Sequence, residues 1–140
     1  MKEAFKFLST SLYFITGVVC LLMAFKSITA RKYLPFHEKA AGKTWESIEE
    51  PLQSVIITIL RISGLGFFIV FLLLTIFPLI NYSRQENYIK LLIPAISMVY
   101  CIGLFLFNYL LYRKTNAKTP WTGSLIAIFI ILLSLIISFI

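Results

Sequence analysis

The chain has 140 residues, 59% of them hydrophobic and only 14% charged, with a formal net charge of +7. Its apolar residues fall in four blocks and do not recur at helical intervals, which excludes a water-soluble globular domain, because stretches such as 68–77 and 126–137 have no polar face to turn to water. The positive charge lies in the short segments flanking those blocks, so it reads as orientation signal and anionic-lipid contact, not as a nucleic-acid surface.

The first block, 5–25, is about 21 residues long and covers about 30 Å at the helical rise, enough for one crossing. Lys2 before it and Lys6 at its start resemble the basic end of a secretory signal, but no small-x-small cleavage site follows, and a retained span is the expectation. Lys26, Arg31 and Lys32 come next and open the one long hydrophilic segment, 26–50. Within it Gly42 offers a stop after a short helical turn at 36–41, and Ser47 with Glu50 forms a capping box for a new helix. Pro51 falls in the first turn of that helix, where a missing N–H does little harm.

The new helix is expected to run through 52–80, longer than one crossing requires, with its first turns in the headgroup region and Trp45 and Ile48 at the interface. A short polar loop at 81–87 leads to a third span, 91–112, with Pro94 near its start and Tyr109 and Tyr112 just before Arg113 and Lys114. Thr119 as N-cap, Pro120 at the first helical position and Trp121 at the interface open the fourth span, 120–140. Trp45, Trp121 and Tyr112 are the expected interfacial anchors. The sequence reads as having no internal repeat at a solenoid period and no heptads. The expected fold is therefore all-α: a transmembrane four-helix bundle forming one domain, with a partly helical interfacial loop between helices 1 and 2.

Four crossings put both termini on one side. The termini and the second loop carry Lys2, Lys6, Arg84 and Lys90, whereas the first and third loops carry Lys26, Arg31, Lys32, Lys39, Lys43, Arg113, Lys114 and Lys118. The excess favours loops one and three in the cytoplasm and the termini outside.

Arg61 is the one charge inside the second span. An arginine in hydrocarbon costs at least about 2.5 kcal/mol on insertion scales, so its position needs a reason. In one reading it lies about 9 Å from the cytoplasmic end of the span at residue 55 and snorkels to the headgroups. In the other it faces the bundle and shares a ligand pocket with Thr58, Tyr100 and Asn108, suited to an anionic headgroup, a quinone carbonyl or a partner's carboxylate. Gly17, Gly64, Gly66 and Gly103 allow close helix approach, and without GxxxG spacing packing inside the monomer is favoured over a dimer motif. Cys20 and Cys101 form no CxxC motif and are expected to be buried thiols. His37 beside Glu38 is the only histidine, so neither a metal site nor a catalytic residue is expected, and no cofactor. Glu46, Glu49 and Glu50 suit the field at a helix N-terminus. None of the four spans carries Asp, Glu or His, which argues against proton-coupled transport, since arginine does not give up its proton.

The run Phe36-His37-Glu38, Gly42, Trp45, Leu52-Gln53, Arg61 and Gly64-Leu65-Gly66 resembles a group of small bacterial four-helix membrane proteins that is similar in layout to the DoxX-like family. The resemblance implies a compact bundle with a structured first loop in the bacterial cytoplasmic membrane, and association with redox partners or quinone-linked systems. It carries over no catalytic residue set. The expected function is that of a non-enzymatic integral membrane protein that binds a lipid-like molecule or a membrane partner near Arg61. The alternatives are a small oligomeric transporter or permease, and a membrane redox or quinone-associated subunit resting on Cys20 and Cys101.

Overall fold

In a computed structural model of the chain, which describes residues 2–80 and 87–139, the four apolar blocks become four long helices. They are α1 (Lys2–Ile28), α3 (Glu50–Ile80), α4 (Asn87–Thr115) and α5 (Trp121–Ser138), with a short α2 (Pro35–Ala41) and a 3-10 turn (Trp45–Ser47) in the first loop. Each of the four long helices is long and apolar enough to cross a membrane, and the described residues contain no strand. All but α5 exceed the expected spans at one end or both, because a helix whose backbone bonds are already made has no reason to stop where the side chains turn polar. The expected polar loop at 81–87 falls, apart from Asn87, outside the described residues.

The long helices close a ring in which α1 packs on α3 and α5, and α4 packs on α5 and α3. Neighbours run antiparallel: Gly17 of α1 lies against Thr75 of α3, Gly64 of α3 lies against Ile28 of α1, and Ser9 of α1 meets Ser134 of α5. This is the up-down-up-down bundle. The α1–α3 seam is the most extensive contact and α3–α4 the thinnest. Small residues explain the difference: a Cβ added at Gly64 would stand 2.7 Å from Ile28 Cγ1 and 3.1 Å from the Ile28 backbone nitrogen, so the two backbones approach as closely as glycine permits.

The core is a single cluster at mid-helix, built from Tyr13 and Cys20 of α1, Val70 and Leu74 of α3, Cys101 of α4 and Ile131 of α5. Buried hydroxyls accompany it, and nearly all find an acceptor, since an unpaired hydroxyl away from water is costly. Thr16, Thr75, Ser97 and Ser134 donate to the carbonyl four residues back, at 3.1, 2.7, 3.0 and 2.9 Å. Ser9 donates instead across the α1–α5 seam to the Ser134 carbonyl, at 2.8 Å. The Tyr13 hydroxyl is the one buried side-chain polar atom left without a partner among the described residues.

Two capping expectations are corrected. Ser47 does not cap α3: its hydroxyl donates to the Thr44 carbonyl at 2.8 Å inside the 3-10 turn, and the helix starts at Glu50. Thr119 does not cap α5 either. Its hydroxyl donates to the Asn108 carbonyl at 2.8 Å, fastening the third loop to α4, and the helix begins at Trp121 after Pro120. Gly42 ends α2 as expected, with φ of 62° and its N–H donating to the Glu38 carbonyl at 3.0 Å.

Candidate functional site

The contact of Gly64 with Ile28 fixes the level of Arg61. The last residue of α1 lies opposite Gly64, so Arg61 stands one turn of α3 beyond the end of α1. Measured the other way, Arg61 is between about 14 and 20 Å along the helix from Val70 and Leu74 of the core cluster. A hydrocarbon layer about 30 Å thick centred on that cluster therefore ends close to Arg61. The side chain is exposed, and among the described residues no hydrogen bond or ion pair reaches its guanidinium.

The four candidate site residues fall into two pairs. Arg61 and Thr58 are exposed one turn apart on α3, and the Thr58 hydroxyl donates to the Ser54 carbonyl at 2.9 Å. Tyr100 and Asn108 are half-buried on α4 and occupied with the bundle itself. The Tyr100 hydroxyl donates to the Ser63 carbonyl at 2.9 Å, its ring meets Phe67 edge-on at 5.5 Å, and it covers Gly66, where a Cβ would come within 2.6 Å of the ring. Asn108 donates from Nδ2 to the Leu104 carbonyl at 2.8 Å, while its own backbone carbonyl accepts from Thr119. Tyr100 thus joins α3 to α4, and Asn108 ties α4 to the third loop.

Around Arg61, one end of the bundle gathers the C-termini of α1 and α4, the N-termini of α3 and α5, and the loops between them. Nine exposed basic residues belong to this end: Lys26, Arg31, Lys32, Lys39, Lys43, Arg61, Arg113, Lys114 and Lys118. Glu38, Glu46, Glu49 and Glu50 are its only acids. The first loop holds its share of these charges in place through two residues to which the sequence assigned no role, Tyr33 and Gln53. Tyr33 is buried, donates its hydroxyl to the Lys43 carbonyl and meets the Trp45 ring edge-on at 5.0 Å. Burial, followed by the nearby Glu38 and Glu46 carboxylates, holds the Tyr33 phenol above its ordinary pKa. Gln53 donates from Nε2 to the Trp45 and Ile48 carbonyls, at 2.9 Å each, clamping the loop onto the first turn of α3. A buried tyrosine among loop lysines and a glutamine in the first turn of a helix leave no distinctive sequence signal.

Of the other singled-out residues, His37 accepts a hydrogen bond at Nδ1 from the Leu34 N–H at 3.2 Å, so the neutral ring carries its proton on Nε2. It acts as a cap for α2, and burial lowers its pKa from the ordinary value. Trp121 packs against Phe105, Tyr109 and Tyr112 of α4, at 6.2, 5.6 and 6.2 Å between ring centroids, and so ties α5 to α4 at this end. Cys20 and Cys101 are buried free thiols in the core cluster. Among the described residues there is no group of three His, Cys, Asp or Glu that could hold a metal ion. Comparison with protein-family models, with curated proteins and with solved structures returns no match.

Proposed function

We propose that the protein is a non-enzymatic, multi-pass membrane protein that binds an anionic lipid-like molecule at the basic end of its bundle, with Arg61 as the principal contact and Thr58 beside it. The unpaired, exposed guanidinium at the end of the hydrocarbon layer carries this reading. A phosphate headgroup offers two oxygens that the planar guanidinium fork can bind in bidentate fashion. Each further Lys or Arg near the surface adds about 1 kcal/mol of attraction to an anionic leaflet, and eight more stand at the same end. The positive excess supports placing this end in the cytoplasm and the termini outside, in a bacterial cytoplasmic membrane.

The test is native mass spectrometry of protein extracted gently from membranes containing phosphatidylglycerol and phosphatidylcholine. The unmodified chain is expected to retain phosphatidylglycerol preferentially, Arg61→Lys to retain part of it, and Arg61→Ala to lose the preference by about tenfold, the equivalent of 1.4 kcal/mol. Equal retention by Arg61→Ala and the unmodified chain would refute the assignment.

A further inference from the structure

Each long helix carries an exposed apolar stripe, as a helix bathed in lipid must. The stripe on α3 differs from the rest in two ways. Setting aside the positions that face α1 (Gly64, Phe71, Thr75), α4 (Ser63, Gly66, Phe67) and the core (Leu60, Val70, Leu74) leaves the side of α3 that points away from the bundle. Along it Val55, Ile62, Ile69 and Ile76 recur every seven residues, and Thr58, Leu65, Leu72 and Leu79 follow each of them at three residues. β-Branched residues on one line and leucine on the next is the pattern of a parallel two-stranded seam, with Val and Ile at a and Leu at d. The apolar members of this stripe, Leu72 apart, are 43–62% exposed in the single chain.

The second difference is reach. The stripe does not stop at the hydrocarbon boundary: Val55 continues it on the far side of Arg61 and is more than half exposed. Lipid tails cover the inner part, but they do not cover Val55, and apolar surface left in water or among headgroups is unfavourable at about 25 cal/mol per Å². A second copy of the chain inserts in the same orientation, so its α3 runs parallel to the first and brings identical positions together about a two-fold axis along the membrane normal. We infer that α3 is the interface between two copies of this chain, in a parallel, self-complementary contact centred on Val55, Ile62 and Ile69. Arg61 lies beside this seam and not in it, whereas Thr58 belongs both to the seam and to the proposed lipid contact.

Single cysteines at Val55 and Ile62 test the inference against cysteines at Phe25 and Leu110, which are comparably exposed near the same end of the bundle. The chains are reconstituted at high dilution in phosphatidylcholine–phosphatidylglycerol vesicles and oxidised with copper phenanthroline; Cys20 and Cys101 stay in place, buried. Val55→Cys and Ile62→Cys are expected to cross-link into dimers about tenfold more efficiently than the two controls. Equal cross-linking at all four positions, or stronger cross-linking at Phe25 or Leu110, overturns the inference. Energy transfer between labelled chains gives a second measurement. The Ile62→Ala/Ile69→Ala chain, altered only at positions exposed in the monomer, should dimerise about tenfold more weakly. Unchanged dimerisation in that chain also overturns it.

Discussion

Gly64 lies where α1 and α3 come closest, and its missing side chain decides how far α1 extends along α3. A methyl group at this position would stand 2.7 Å from Ile28 Cγ1 and 3.1 Å from two further atoms, one of them backbone, so Gly64→Ala must push the end of α1 away. It is expected to destabilise the bundle by about 1–3 kcal/mol, the usual range for overpacking. Gly103→Ala, at a site with nothing within 4 Å, is the matched control and should leave stability unchanged or slightly raised. Thermal denaturation in detergent compares the two; equal losses would show that the close approach at Gly64 carries no weight. His37 gives a pH dependence at the same scale. Burial keeps its folded pKa below the ordinary 6.5, so the unfolded loop takes up the proton more readily. The neutral ring's contribution is complete above about pH 6.5 and falls as the pH drops below it, when Nδ1 gains a proton and no longer accepts from Leu34. The protection factor of the Leu34 amide against hydrogen exchange should therefore fall on acidification from about pH 7.5 to 5, and His37→Ala should abolish the change. A protection factor flat across that range would remove His37 from the cap.

At the scale of elements, much was legible in sequence because hydrocarbon imposes one demand that every span must meet. Runs of about twenty apolar residues specify crossing helices whatever their neighbours do. Gly42 was readable for a similar reason: a left-handed φ at a helix end strongly favours one residue type. What escaped was whatever depended on partners brought near by the path of the chain. Ser47 and Thr119 have the spacing of caps, yet each donates elsewhere, to Thr44 and Asn108, because other carbonyls come within reach. Tyr33 and Gln53 order the first loop through the Lys43, Trp45 and Ile48 carbonyls, and no local pattern announces such contacts. Arg61, Thr58, Tyr100 and Asn108 looked like one site in sequence because all four are polar groups in the same half of their spans, whereas Tyr100 and Asn108 are turned to bonds within the bundle. The seven-residue stripe on α3 was hidden for the opposite reason. Almost every position of that helix is apolar, so the outer line emerges only after the positions facing α1, α4 and the core are removed.

For the whole molecule, the decisive quantity is the offset between α3 and the end of α1. At 31 residues α3 is about 46 Å long, whereas a hydrocarbon layer needs about 30 Å. The surplus extends past the end of α1 among the basic loops, and Arg61 marks the transition. This offset turns an arginine that looks buried in an apolar run into one at a boundary and lowers its insertion cost, as the proposed contact with an anionic headgroup requires. Nitroxide labels at Ser54 and Phe68, about 10 Å to either side of Arg61 on the same line of α3, test the offset directly through their collision rates with oxygen and with a water-soluble nickel complex. The expected result is nickel access at Ser54, oxygen access at Phe68 and a crossover at Arg61. Oxygen-dominated collisions at both labels would put Arg61 within the hydrocarbon and contradict its placement at the boundary.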